Sequence, residues 1–440
     1  MKKLIYTLKH YCWLILYMSL ITYLLYARDI LDYPINKYLF VMICVGISFV
    51  VKYHHLISVI MFTLPLMCGL PGNFFLPIWC VLILRHQIKF RTIHRPAIIF
   101  ILVFSIWEFV IYLFYPFDIK ISSYMGYISS IMLLCLLVSE RSKGNYSNSV
   151  ISFLIGCCVL LVCIYQIYIK DPTLMIFEGG TRMGGVSYTE EGVMSLKTNA
   201  NGIGLISATA IAISLTLFYY KKLHIFPFIL ITASCFYCGL FAVSRTWAIM
   251  VLLCFMLYFF FQKENKKVGY AMFFTCILGV VYYLRQNDAI LQLFIDRFTA
   301  DNIETGGGRT TLFQDYNNFL LNNPVHFIFG TSALQYKEVT GLFHSTHNGL
   351  QQIWLSYGII GFIIFMFAFV SQFKAYYIKG QYMACLPILI TFLFLQTLQV
   401  LNPYYGLYPI IASFLVMRII NENNNNYCII DENTLLHSRN

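Results

Sequence analysis

Three arginines and two histidines in this 440-residue chain stand where a charge is costly or a proton could be moved. Arg245 lies in a Ser-Arg-Thr-Trp turn at residues 244–247, between two apolar runs. A charge at the mouth of two apolar helices is unfavourable, so function is the default reading; the alternative is a side chain that snorkels to the interface. Arg309 follows Gly306, Gly307 and Gly308 and opens an amphipathic segment. A glycine run ahead of a helix leaves backbone N–H groups pointing outward, and a helix N-terminus favours negative charge. The guanidinium fork then suits phosphate; the competing reading is a flexible hinge with a solvated arginine. Arg182, in another polar stretch, is a weaker third cation. His347 has an ordinary pKa of about 6.5, suited to proton transfer near neutrality, although a loop histidine is usually only solvated. His344 is three residues away, but no third ligand nearby completes a metal site with this pair.

Other polar residues carry structural readings beside functional ones. Asn199 and Asn201 precede an apolar run that starts at Gly202, where helix capping competes with substrate contact. Glu108 lies inside the apolar run 105–110. An acid there faces a bundle interior or a cavity, and structural pairing or substrate contact both fit. Cys235 and Cys238 have the spacing of a redox or metal pair. Inside an apolar helix, however, cysteine is an ordinary small hydrophobe. Thirteen of the fourteen cysteines fall in expected spans and Cys428 in the C-terminal tail, so no structural disulfide is expected.

The elements that position these residues follow from composition. The chain is 59% hydrophobic and 11% charged, with mean hydropathy +0.71, against about 25% charged residues in a soluble protein. Most of its surface must face something other than water. Apolar runs long enough to cross a ~30 Å hydrocarbon core recur from end to end. Backbone polar groups within lipid must bond inside their own segment, so these runs are helices. Stretches such as 150–167 are apolar all round, unlike the alternation of a membrane β-barrel. The fold class is all-α and polytopic, with about 12–14 transmembrane helices. Spans are expected near 11–26, 38–52, 56–70, 74–85, 96–115, 121–138, 150–168, 202–220, 225–242, 247–261, 269–283, 350–370, 381–399 and 407–420. The second to fourth are short and crowded. No A-x-A-like site follows the first, which leads directly into Arg28 and Asp29, so it reads as retained rather than as a cleaved signal.

Basic residues in the short loops set the orientation. Starting with Lys2 and Lys3 inside, the same side holds Lys52; Arg85, Lys89, Arg91 and Arg95; and Arg141 and Lys143. It also holds Lys221 and Lys222; Lys263, Lys266 and Lys267; and Lys374 and Lys379. The +11 net charge is therefore largely a cytoplasmic rim against anionic lipid and requires no nucleic-acid partner. The expected organisation is an N-terminal bundle at 1–169, a first outer loop at 170–201 and central helices at 202–283. A large outer loop at 284–348, C-terminal helices at 349–420 and a low-complexity cytoplasmic tail at 421–440 complete it. Both long loops fall on the outer side, so any chemistry belongs there. In the second, Ile290, Leu291, Phe294 and Phe298 have the spacing of a short helix lying on the membrane. After Arg309, one helix face gathers Leu312, Phe313, Tyr316, Phe319 and Leu320 before Asn322, Asn323 and Pro324 stop it.

Four patches occur in order: residues 198–202 (Thr-Asn-Ala-Asn-Gly), the 244–247 turn, Gly308-Arg309 with the helix running to Pro324, and His347-Asn348-Gly-Leu leading to Tyr357 and Gly361. Together, over about 198–370, they resemble the bacterial O-antigen polymerase and O-antigen ligase superfamily. The resemblance implies a metal-independent, cofactor-free glycosyltransferase of GT-C type. It would act on the outer face of the bacterial inner membrane with an undecaprenyl-diphosphate-linked oligosaccharide donor. A polymerase passes the growing glycan to another lipid-linked repeat unit; a ligase passes it to lipid A–core. The leaving group is a diphosphate, so cations must hold its developing charge, and a base should take the proton of the acceptor hydroxyl. The resemblance thus implies catalytic roles for His347 as base and for Arg245 and Arg309 as cations. Asn199, Asn201, Asn348, Arg182 and His344 would bind substrate, with Asn348 orienting the imidazole or holding a sugar hydroxyl. Implied partners are the lipid-linked oligosaccharide, membrane lipid and a chain-length regulator protein.

Polymerase is favoured over ligase because polymerases are the more divergent group, and no residue here reads out the acceptor. A flippase or transporter for the lipid-linked sugar is the rival of another class. Transporters place polar groups at mid-membrane and show repeated halves. This chain crowds its polar motifs on the outer face and shows no internal repeat, which favours an enzyme.

Overall fold

The computed structural model describes residues 2–92, 95–114, 121–139, 146–170, 176–177, 180–181, 196, 199–261, 266–286, 292, 295, 309–342, 344–378, 380–401 and 406–421. Arg182, Thr198, the glycine run 306–308, Cys428, the tail and most of the expected interfacial helix at 290–298 lie outside those residues.

The described chain is helical wherever the apolar runs predict it. The helices of the N-terminal half are α1 (Lys2–Asp29), α2 (Lys37–Val50), α3 (Tyr53–Thr63), α4 (Gly72–Lys89), α5 (Arg95–Phe114), α6 (Ile121–Ser139) and α7 (Ser147–Lys170). A 3-10 turn, Leu64–Gly69, extends α3. The central helices are α8 (Ala200–Tyr219), α9 (Ile225–Phe241), α10 (Arg245–Phe261) and α11 (Lys266–Gln286). The second long loop holds α12 (Arg309–Asn322), α13 (Pro324–Phe329) and α14 (Tyr336–Thr340), before α15 (Gly349–Ile378), α16 (Leu386–Leu395) and α17 (Leu407–Asn421). The described part of the first long loop contains one two-residue antiparallel pair, Ile176–Phe177 with Gly180–Thr181. This is an all-α polytopic membrane protein.

Five segments are long and apolar enough to cross a membrane: Tyr11–Asp29, Ile121–Val138, Ser147–Lys170, Ala200–Tyr219 and Gly349–Ser371. Shorter apolar helices pack among them. At 14 residues, α2 is about 21 Å long, short of a ~30 Å core, consistent with the crowding expected there. In α5, Ile99, Leu102, Ile106, Phe109 and Leu113 form an exposed apolar stripe at helical spacing, the signature of a lipid-facing side. At the other extreme, 18 of the 20 residues of α8 are buried. Its Ala, Gly and Ser positions let α9, α10 and α16 approach closely.

Contacts define two ends of this bundle. At one, Arg28 is buried, makes a bidentate ion pair with Asp29 and donates to the Gly69 carbonyl at 2.9 Å, while Lys170 pairs with Asp32. At the other, Asn148 Nδ2 donates to Tyr11 Oη at 2.8 Å, Tyr53 stacks on His86, and Phe261 stacks on Tyr382. The second long loop docks towards the first end.

That docking explains Glu108. The carboxylate is fully buried and accepts from Ser332 Oγ at 2.6 Å, Tyr357 Oη at 2.5 Å and Ala333 N at 3.3 Å. Tyr127 Oη meets Tyr357 Oη at 2.8 Å, Trp107 Nε1 donates to the Phe329 carbonyl at 2.9 Å, and Gln335 Nε2 donates to Tyr124 Oη at 2.7 Å. Of the two readings left open for Glu108, structural pairing is what the geometry displays. The segment after α13 enters a break in α15, where Thr331 N and Ser332 N donate to the carbonyls of Leu355 and Ser356 at 2.7 and 3.0 Å. Gly358 makes the break possible. Its φ of 64° is left-handed, and a Cβ there would collide with the Ile328 carbonyl oxygen.

Candidate functional site

The second long loop and α15 share a small core: Tyr316 and Leu320 of α12, Tyr336 of α14 and Leu355 of α15. Tyr316 and Leu320 are the buried part of the predicted α12 face, whereas Phe313 is 41% exposed. Asn323 and Pro324 end α12 as expected, because proline cannot continue a helix but can start α13. Tyr316 Oη donates to the carbonyl of His344, and Gln399 Nε2 donates to Tyr336 Oη at 2.9 Å. The first bond ties the His344 backbone to α12, and the second ties α14 to Gln399.

His347 sits in that segment with a left-handed φ of 47°. A non-glycine residue held there costs about 1–3 kcal/mol and commonly marks a functional position. Its Nδ1 is buried and has no hydrogen-bond partner among the described residues. A buried polar atom left unsatisfied costs about 1–3 kcal/mol, which a hydroxyl-bearing ligand would relieve. Burial foremost, then the positive charges of Arg309 and Lys337 and the neighbouring His344, hold the His347 imidazole below its ordinary pKa. The ring is therefore neutral at pH 7 and able to accept a proton. Lys337 was not singled out from the sequence. A lone lysine in a loop carries no motif, and only the fold of α14 brings its charge to His347.

The second cluster forms at the start of α8 and α10. Asn199 caps α8, its Oδ1 accepting from Gly202 N at 2.6 Å. Asn201 Oδ1 accepts from Ser244 Oγ at 3.0 Å, and Ser244 Oγ accepts from Trp247 N at 3.4 Å. Val243 turns the chain with a left-handed φ of 45°, a strained conformation for a β-branched residue. Trp247 Nε1 donates to Ser207 Oγ at 2.9 Å and anchors the turn in the core. Arg245 is thereby presented, half-buried, with no ion pair or hydrogen bond among the described residues.

The structure thus brings His347, His344 and Arg309 together, and joins Asn201 to the Arg245 turn. No hydrogen bond links Arg245 to His347 among the described residues, and Arg245 is not among the charges acting on that imidazole. The clusters are connected through packing. A Cβ at Gly204 of α8 would lie 3.0 Å from both Trp247 and Phe394, while Gly349 lies against the Leu395 carbonyl. Gln396 Oε1 accepts from Leu350 N at 3.1 Å. Asn348 caps α15, its Oδ1 accepting from Gln351 N at 3.0 Å. The N-termini of α8, α10, α12 and α15 therefore open on the same end of the bundle, an arrangement that favours an anion. Asn199 and Asn348, considered as substrate ligands, have their carbonyl oxygens engaged as caps.

Residues 228–366 match the family model described as O-antigen ligase. The matched stretch begins within α9 and ends within α15, and it contains Arg245, Arg309, His344, His347 and Asn348. The match supports the O-antigen polymerase and ligase superfamily, whose members are glycosyltransferase-like enzymes. No curated protein and no solved structure matches the chain.

Proposed function

We propose that this protein is an O-antigen or capsule polysaccharide polymerase of the bacterial inner membrane. It transfers the growing glycan from undecaprenyl diphosphate to another lipid-linked repeat unit at the outer face, without a metal. The observation that carries the reading is His347, inside the matched stretch: a neutral, half-buried imidazole with an unpartnered Nδ1 beside two cations. In the reaction, an acceptor hydroxyl oxygen attacks the anomeric carbon of the donor and its proton passes to His347. The bond from that carbon to the phosphate oxygen breaks, and the diphosphate leaves with the electron pair against Arg245 and Arg309. Cations aimed at the departing charge stabilise the transition state more than the ground state. As the diphosphate neutralises Arg309, the imidazole becomes a stronger base.

Ligase is the second reading, favoured by the description of the matched family. Expression in strains lacking either activity separates the two. A restored ladder of chain lengths supports polymerase, and restored attachment to lipid A–core supports ligase.

Two expectations arise directly. Gln314 lies on the exposed side of α12, and Lys222 is exposed in the basic loop after α8. With the outer face as proposed, Gln314→Cys reacts with an impermeant thiol reagent in outer-membrane-permeabilised cells, and Lys222→Cys reacts only after lysis. The reverse pattern inverts the topology. Ser332, although in the same loop, is a poor probe because it is buried against Glu108.

The second concerns pH. The depressed pKa of His347 keeps the base neutral as pH falls to below about 6.5. The acid limb of kcat/KM, which reports the free enzyme, therefore has its midpoint below that value. Lys337→Gln removes one of the charges responsible and shifts the limb to higher pH. An unmoved or lowered limb would remove Lys337 from the surroundings of the base.

A further inference from the structure

Gln351 lies four residues after His347, in the first turn of α15, and is 3% exposed. Its Nε2 donates to the Phe313 carbonyl at 2.8 Å and to Asn317 Oδ1 at 3.0 Å. Both amide hydrogens are thereby committed to α12. Exchanging the amide's oxygen and nitrogen would set Oε1 against the Phe313 carbonyl oxygen, so the assignment is fixed. The planar amide consequently holds Oε1 on its other edge, buried and without a partner among the described residues. Arg309, Phe313 and Asn317 are spaced four apart on α12, so Gln351 binds one turn along the helix from the Arg309 that acts on His347. His347 Nδ1 and Gln351 Oε1 are thus two unsatisfied buried atoms four residues apart in the chain, both set against α12, the first by the charge of Arg309 and the second by the bonds to Phe313 and Asn317. A carbonyl oxygen only accepts; what it lacks is a donor, and it carries no charge with which to attract phosphate.

We propose that Gln351 is a binding residue for the acceptor sugar, its Oε1 accepting a hydroxyl next to the one that His347 deprotonates. This rests on the glycosyl-transfer reading above and extends it from the leaving group to the acceptor. Sites that use a buried polar atom to hold a hydroxyl discriminate strongly against analogues lacking it, because that atom is otherwise left unpaired.

The test uses the full-length purified protein with lipid-linked repeat unit isolated from cells deleted for this gene. Alongside it runs a set of synthetic prenyl-diphosphate repeat units, each lacking one hydroxyl of the sugar that receives the chain. With wild-type protein, one deoxy acceptor other than that missing the attacking hydroxyl loses about tenfold or more in kcat/KM. In Gln351→Met the intact acceptor suffers a similar loss, mainly through KM, and the deoxy penalty disappears. Asn317→Ala, which removes one tether of the amide but leaves Oε1, retains the penalty. Equal use of all such analogues by the wild-type protein overturns the proposal, even if Gln351→Met does not accumulate. A deoxy penalty that persists in Gln351→Met also overturns it, with the transfer reading left standing. Absence of any transfer by the wild-type protein removes that reading and this proposal with it.

Discussion

His347→Ala lowers elongation of lipid-linked repeat units by about 10²–10⁴-fold, the usual loss on removing a general base. Binding of the lipid-linked donor and protein level in the membrane stay close to wild type. The imidazole Nδ1 has no hydrogen-bond partner among the described residues. Alanine there removes a proton acceptor but no bond on which the fold depends. The neighbouring turn is secured instead by Tyr316, which holds the His344 carbonyl, and by Asn348, which caps α15. His344→Ala is much milder, because that side chain is exposed and its carbonyl carries the tether to Tyr316. Single-turnover elongation by purified variants, with donor binding measured separately, checks this. Near-normal rates in His347→Ala would remove the base from the mechanism.

Arg245→Lys and Arg309→Lys are the second large effect. Lysine preserves the charge but replaces a planar fork, able to hold two phosphate oxygens, with a strongly hydrated point charge. If these arginines grip the diphosphate as it departs, either substitution lowers kcat by tenfold or more, roughly the loss of one charge-assisted hydrogen bond in the transition state. Membrane levels remain unchanged. The Arg245 turn is held by Ser244, Asn201 and Trp247, none of which bonds the guanidinium. In the same assay a chelator leaves the rate unaltered. Wild-type rates in both lysine variants would remove the fork from catalysis, and chelator sensitivity would overturn the metal-free mechanism.

The two arginines belong to separate clusters. Arg309 acts on His347, whereas Arg245 is reached through Trp247, Gly204 and Phe394. A donor whose diphosphate touches both must span the space where the N-termini of α8, α10, α12 and α15 open. Loss of either contact therefore weakens catalysis independently of the other.

The sequence by itself determined the solvent and the helices. Hydropathy cannot be satisfied in water at 11% charge, and a chain in lipid has few ways to bond its backbone, so runs such as 200–219 could only become helices. The basic loops and the two long polar segments were legible for the same reason: each is a local property of consecutive residues. Arg245 was visible because a cation between two apolar runs is anomalous, whereas Arg309 stood out by the glycine run before it and His347 by its place in the last of the four patches. Tertiary structure alone decided which of these residues meet and what each polar atom lacks. Glu108 joins Ser332 and Tyr357 across 224 and 249 residues of sequence, and Lys337 approaches His347 only because α14 folds beneath it. Gln351 was indistinguishable from Gln352 as a letter. The fold engages Gln352 Oε1 with Leu401 N at 3.0 Å and leaves Gln351 Oε1 buried without a donor. Such a difference depends on where neighbouring helices place their donors, a non-local quantity that no spacing along the chain encodes.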